Sequence, residues 1–535
     1  MGLRFRWLQL IAVDFYFAIL PFCDRRRWWM KGFLIGWVGF RVVSAPGKVL
    51  ITGAYLVLEQ PHAGLVVSTS ARFYAVVKPI HENLAPDSWS WSWSDVKVIS
   101  PQLGTETDYK FSHRDLSLRR VSSEGSSSFV EQAVQLSVAA AKAGFTGASS
   151  EEREHFRDQL LQGLEITILG SNDFYSFRRQ LEARGLPLTR SSLAALSAFS
   201  SISTNTQPGE DEIALPEVAK TGLGSSAAMT TAVVASLLQY FGRVDLPLHG
   251  AAKEDVETDL ELVHSVAQAA HCAAQGKIGS GFDVSCAVYG SQRYVRFSPS
   301  VLSSVQASGR LITPLEIMKQ VLAESWDGER LAYALPPGLM LVVGEPGFGG
   351  SHTPSMVGAV QAWRKRDPEK ATPIWNALAE ANLSVEKGLL HLKTVAGSGK
   401  FYENILESCS TSSADKWKIL HGDTPGSLEV VMSLLETRQA FLQVRSLLRH
   451  VGEAAGVPIE PPSQTALLDA TMEMDGVLLA GVPGAGGFDA VFAITIGSTV
   501  RDKLELEWSR RGVLSLSAQE DPSGVSLEKC DPREV

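Results

Sequence analysis

Cysteine is scarce in this chain of 535 residues. Cys23, Cys272, Cys286, Cys409 and Cys530 are odd in number, far apart and without metal-ligand spacing, which excludes a disulfide framework and a zinc site. They read as reduced thiols, and a cytoplasmic location is expected, with a peroxisomal one kept open. Positive charge is also short. Lys and Arg number 49 against 58 Asp and Glu, for a net charge of −9, and no basic stripe with interleaved aromatics occurs. A general nucleic-acid binder is thereby excluded, although a local basic pocket for phosphates is not. Long apolar runs are missing too. The most apolar stretch, "LQLIAVDFYFAILPF", falls short of the roughly 20 residues that span a bilayer and is broken by Asp14, so no stable membrane insertion is expected. Residues 1–40 read as an N-terminal extension that targets, anchors peripherally or is dispensable for the chemistry, the last being preferred. No repeat of solenoid period is found, and nothing in the composition sets an oligomeric state.

What is present is an ordinary globular composition, 45% hydrophobic and 20% charged, in a chain long enough for two to four domains. From Arg41 onward the pattern is mixed α and β. "RVVSAPGKVLITGAYLVLE" reads as strand, tight turn at Pro46-Gly47, and strand; "GLVVSTSARFYAVVKPI" and "SWSWSWSDVKVIS" read as further strands. Trp89, Trp91 and Trp93 share one face of the last and are taken as core or sheet cover. "FVEQAVQLSVAAAKAGF" is expected to be a helix. A second unit begins near Leu335 with strand, glycine-rich turn and helix, and "GVLLAGVPGAGGFDAVFAITI" reads as strand, bare turn and strand. From Gln519 the sequence is polar and is expected to be disordered.

The stretch that asks most of chemistry is "KTGLGSSAAM", Lys220 to Met229, directly before the apolar run "TTAVVASLLQYFG". With almost no side chain, such a loop lets an anion reach backbone N–H groups, and the first turn of the following helix adds donors without intrahelical partners. It is not a Walker A sequence. It satisfies G-x-G-x-x-A through Gly222, Gly224 and Ala227, with Asp245 about twenty residues on, but "ALPEVAKT" before it is a poor central strand. A nicotinamide enzyme is therefore the runner-up.

Four stretches taken in order decide between these readings. "SAPGKVLITGAYLVLE", "GLGSSAAM", "GKIGSGFDVSCAVYG" and "GVPGAGGFDA" resemble the GHMP family of small-molecule kinases from about Arg41 to about Gly512, and with "GGSHTPSMV" the wording is most similar to its eukaryotic phosphomevalonate kinase branch. The resemblance implies an α+β fold of two domains, an N-terminal ribosomal-protein-S5-like domain at 41–330 and a C-terminal ferredoxin-like domain at 331–515, followed by a polar tail at 516–535. It implies ATP and Mg2+ as cofactors and phosphorylation of 5-phosphomevalonate to 5-diphosphomevalonate in isoprenoid synthesis. A kinase for mevalonate or a sugar, and a ligand-binding protein without turnover, are the alternatives.

By the same resemblance, Gly222, Leu223, Gly224, Ser225, Ser226, Ala227 and Ala228 cradle the triphosphate, and Ser226 also reaches the magnesium ion. Lys48 and Asp283 are the expected catalytic pair. Asp283 either accepts a proton or orients the attacking oxygen, and the sequence leaves both roles open. An acceptor that already carries a phosphate needs extra donors, for which Lys277, Arg293, Arg296, Ser351, His352 and Thr353 are candidates. Gly486 is expected to close on the substrate from the second domain. Two departures stand out: Cys272 replaces a glutamate that some relatives use as a second magnesium ligand, and Ala54 stands where glycine is expected before Tyr55.

Overall fold

The computed structural model describes residues 40–534 apart from 82–91, 122–126, 146, 203–205, 208–216, 252–254, 307–311, 348–352, 399 and 421–424. Arg41–Val535 form one compact unit. Its organising strand is β2 (Ala63–Lys78), which follows β1 (Arg41–Leu50). Valine and small residues at nearly every position of both strands make them buried on both faces, the pattern of a central rather than an edge strand. At 16 residues β2 is long enough to pair antiparallel with β1 along one edge and, along the other, with two strands in succession. Those are β9 (Gln292–Val295), beside residues 63–66, and β6 (Leu164–Gly170), beside residues 73–78.

Beyond β6 lie β3 (Trp93–Ser100), β4 (Thr105–Ser112) and β5 (Leu118–Arg120), with β3 parallel to β6 and the other neighbours antiparallel. β7 (Thr206–Gln207) and β8 (Glu217–Val218) form a short separate ribbon, and β10 (Glu329–Ala332) borders β9. Helices α1 (Ser128–Gly144), α2 (Ser225–Tyr240), α3 (Glu257–Gln275) and α4 (Phe282–Tyr289) complete this half, with α2 packed on β1 and β2 and between α1 and α3. The alanine-rich face of α2 permits that close packing: Ala227, Ala228, Ala232 and Ala235 are all essentially inaccessible.

The second half has its own sheet, in the order β12 (Val477–Gly481), β13 (Val491–Ile496), β11 (Leu339–Glu345) and β14 (Leu514–Ser515), all antiparallel. Helices α5 (Thr353–Arg366), α6 (Pro368–Val395) and α7 (Pro425–Ala455) accompany it, α6 lying along α7. The α+β architecture in two parts is as the sequence predicts. Among the described residues, no helix is long and apolar enough to cross a membrane.

Three expectations need correction or lie out of reach. β1 does not turn at Pro46-Gly47 but runs through it, the register shifting between Pro46 and Lys48 because β2 carries the extra residues of a bulge between Ser68 and Arg72; "LVL" after it forms one 3-10 turn, Leu56–Leu58, rather than a strand. The polar tail is not disordered. β15 (Ser526–Leu527) pairs with β1 at Val43 and Ser44, Val525 is fully buried, and Asp521 and the Gly524 carbonyl engage the buried Arg72 at 3.5 and 2.6 Å. Mean polarity reads such a segment as solvated, whereas the open edge of β1 and an enclosed guanidinium both need polar partners. Of the tryptophan stripe, Trp93 begins β3, and Trp89 and Trp91 lie outside the described residues.

Candidate active site

Lys48 is where the first three motifs meet. At Pro46-Gly47 the backbone lies against its neighbours so closely that a Cβ on Gly47 would lie 2.9 Å from the Phe174 ring and 3.0 Å from the Leu223 carbonyl. From there the Lys48 N–H donates to the Leu223 carbonyl at 2.8 Å, and the ammonium donates to the Gly222 carbonyl at 2.9 Å. One residue thus ties the bare loop to β1 twice. The Phe282 ring lies 5.7 Å from the ammonium. Loss of hydration lowers the lysine below its ordinary value, with the carboxylates of Asp283 and Asp489 acting in the opposite direction.

The loop then enters α2 through Gly224, which caps the helix in the left-handed region at φ 78° with no side-chain cap and no acidic residue in the first turn. The first-turn N–H groups therefore remain for an anion. Leu223 is buried and anchors the loop, while Gly222, Gly224, Ser225 and Ser226 are half-buried and Ala227 and Ala228 are buried.

Asp283 occupies the first turn of α4, with Oδ1 accepting the Val284 N–H at 2.9 Å. The segment leading to it is shaped by groups that the sequence placed elsewhere. Arg296 donates to the carbonyls of Leu58, Ile278 and Gly279 at 2.5, 3.2 and 2.6 Å, Tyr294 donates to the Ser280 carbonyl at 2.8 Å, and Arg293 is paired with Glu386 at 2.6 Å. Arg293 and Arg296 are thus engaged in building the site. Lys277 is exposed just after the C-terminus of α3. Cys272 is buried, receives the Gln268 amide at 3.3 Å, and is held as a neutral thiol because burial raises its pKa.

Two side chains escaped the sequence reading. His271, on α3, is 2% exposed; its Nε2 lies 3.1 Å from Ser226 Oγ and 3.9 Å from Asp283 Oδ2. Its position one turn before the end of a helix that leads into the aspartate loop was the available signal. Asp489 belongs to the turn between β12 and β13, and its Cβ would be 3.8 Å from a Cβ on Gly222. An acid in a glycine-rich stretch, a local feature it shares with Asp283, was the available signal.

The same turn is held in place from both halves of the unit. The Gly487 N–H donates to the Ile459 carbonyl at 2.8 Å, and the Tyr55 hydroxyl donates to the Ala485 carbonyl at 2.7 Å. Tyr55 itself adopts φ 62°, a costly conformation for a bulky residue. Gly486 lies against the Ile459 carbonyl, where a Cβ would be only 2.2 Å away. Ser351 and His352 lie outside the described residues, and Thr353 begins α5.

The GHMP kinases N terminal domain matches residues 210–291, which include the bare loop, His271 and Asp283. The fold has solved counterparts: the Lin0012 protein from Listeria innocua, at a TM-score of 0.58 and 16% identity over 92% of this chain and 100% of that one, and a Streptococcus pneumoniae phosphomevalonate kinase in complex with phosphomevalonate and AMPPNP, at 0.52 and 14% over 90% and 99%. These define the class by its fold, that of the GHMP kinases. Sequence similarity narrows it. The chain is 54% identical over 494 residues, 92% of its length and 97% of the relative's, to a peroxisomal phosphomevalonate kinase from Arabidopsis thaliana, and 33% identical to phosphomevalonate kinase erg8 from Aspergillus fumigatus over 84% and 86% of the two chains. The chain belongs to the phosphomevalonate kinase family.

Proposed function

We propose that this protein transfers the γ-phosphoryl group of ATP to the phosphate of 5-phosphomevalonate, releasing ADP and 5-diphosphomevalonate for isoprenoid synthesis. The observation that carries the reading is the convergence on Lys48 of the bare loop at Gly222 and the charges of Asp283 and Asp489. Phosphoryl transfer asks mainly for alignment and for neutralisation of charge on the transferred oxygens. The N–H groups of 222–227 hold the triphosphate, with the small Ala228 side chain keeping the approach clear, and the Lys48 ammonium meets the charge that accumulates as the acceptor oxygen bonds to the γ-phosphorus and the bond to the β-phosphate oxygen breaks.

The acceptor bears on the role of Asp283. A phosphate monoester loses its second proton near pH 6, so at neutral pH the attacking oxygen has no proton to give up. Asp283 then acts by keeping Lys48 charged and placed rather than as an obligatory base. Magnesium fits the donor set. The Ser226 hydroxyl and the Asp283 carboxylate offer oxygen ligands, and no cluster of three or more His, Cys, Asp or Glu suited to a metal occurs among the described residues; Mg2+ typically takes one or two protein oxygens and leaves the rest to phosphate and water. When bound it would neutralise triphosphate charge. Lys277, Ser351, His352, Thr353 and Gly486 are assigned to the acceptor side, the domains to 41–330 and 331–515, and the location to the cytoplasm, with fractionation of the full-length chain separating this from the peroxisome.

Initial rates of the purified protein with ATP and phosphomevalonate, mevalonate or galactose test the reading. Phosphomevalonate is expected to be fastest, and equal or faster turnover of either other acceptor overturns it.

A further inference from the structure

We propose that His271 is a positioning residue of the phosphoryl-transfer site, accepting the Ser226 hydroxyl hydrogen so that the serine oxygen faces the cation and triphosphate. The inference rests on the function proposed above. A hydroxyl is a free rotor with one hydrogen and two lone pairs. Left alone it rotates, and in some of its orientations the hydrogen rather than a lone pair faces the cation. A serine that ligates magnesium must spend its hydrogen elsewhere. His271 Nε2, 3.1 Å from Ser226 Oγ, is the acceptor in reach.

The surroundings hold the imidazole in that role. The ring is 2% exposed and lies 5.3 Å, centroid to centroid, from the Phe129 ring of α1. The Gln275 amide nitrogen, one turn further along α3, is 3.4 Å from the same Nε2. An amide N–H2 only donates, so it calls for a lone pair on Nε2, which puts the ring proton on Nδ1 and leaves the hydroxyl, able to donate or accept, to donate. Asp283 Oδ2 lies 3.9 Å from Nε2, beyond a direct hydrogen bond. The ring thus lies close to both the expected cation ligand and the expected catalytic carboxylate. Residues 226, 271 and 283 come from three different helices, and only the packing of α2, α3 and α4 brings them together.

Two substitutions in the full-length protein test this. His271→Phe keeps a ring against Phe129 and suits a buried position, but has no acceptor; His271→Gln keeps a side-chain oxygen that can accept. AMPPNP binding is measured by calorimetry in EDTA and across a magnesium titration, alongside melting temperature, kcat and KM. For His271→Phe the metal-free AMPPNP affinity and melting temperature should hold, the magnesium concentration giving half of the full tightening should rise roughly tenfold, and kcat should fall about 10- to 100-fold with little change in KM. His271→Gln should recover most of both losses. Should the phenylalanine variant not fold, His271→Leu serves in its place. A folded variant without an acceptor that keeps the wild-type magnesium dependence and kcat overturns the proposal, as does a glutamine variant no better than phenylalanine. If the wild type turns over no phosphomevalonate and yet the magnesium shift appears, the proposed function fails and the positioning role stands.

Discussion

Adding one methyl group at Gly224 separates the chemistry of the loop from its conformation. The residue sits at φ 78° and ψ 40°, where a side-chain-bearing residue pays about 1–2 kcal/mol. Its Cβ would also lie 2.9 Å from Lys48 Cε and 3.1 Å from Lys48 Cγ. Carbon atoms prefer about 3.5–4.0 Å, so the lysine side chain must retreat by roughly 0.5–1 Å and give up its bond to the Gly222 carbonyl. Displacements of that size at a reacting centre cost about 10²-fold in rate. Gly242, just past the end of α2, is the control: its φ is 66°, and a Cβ there meets nothing within 4 Å. Gly224→Ala and Gly242→Ala should therefore show similar small drops in melting temperature, while kcat with ATP and phosphomevalonate falls about 10²-fold in the first and stays near wild type in the second. A folded Gly224→Ala with turnover within about threefold of wild type, or an equal loss in Gly242→Ala, refutes the argument that the loop is bare in order to seat Lys48.

Asp283→Asn should lower turnover by roughly 10²- to 10⁴-fold with nucleotide binding little changed. It should also move the alkaline limb of kcat/KM. Lys48 must stay protonated to act, burial already lowers it below 10.5, and Asp283 raises it, so removing that charge lets the lysine deprotonate at lower pH and shifts the limb down; a limb that stays or moves up counts against the pairing. Two truncations divide the termini. Deleting residues 1–40 should leave a folded, active kinase, because the compact unit begins at Arg41, whereas deleting 516–535 removes β15 and strands the buried Arg72 without Asp521, at a cost of about 3–5 kcal/mol. Equal melting temperatures for the second truncation and the full chain would show that the tail is dispensable.

The two-part α+β fold was legible in the sequence because it rests on local chemistry, and the bare loop, Lys48 and Asp283 were singled out there by motifs that resemble a known family. Valine-rich runs dictate strands, alanine-rich runs dictate tightly packed helices, and a stretch such as "GLGSSAAM" is bare over consecutive residues. Local patterning also has a characteristic error. The Pro46-Gly47 pair looks like a turn in isolation, and only the partner strand β2, with the Phe174 ring and the Leu223 carbonyl against Gly47, shows that it lies within a continuous strand, opposite a bulge.

Tertiary structure alone decided who meets whom. Ser226 and His271 are 45 positions apart, Tyr55 and Ala485 are 430 apart, and Arg72 finds the Gly524 carbonyl across 452. No periodicity carries such pairings, since they follow from the order of strands around β2 and from the return of the chain's end to the free edge of β1. The fate of polar residues is decided the same way. Arg296 and Arg293 are two among several candidate phosphate ligands in the sequence, and the fold gives them carbonyl and carboxylate partners, while the C-terminal residues read as solvated until a buried guanidinium claims them. A polar side chain is a list of hydrogen bonds that must be satisfied, and the sequence states the list while the fold supplies the partners.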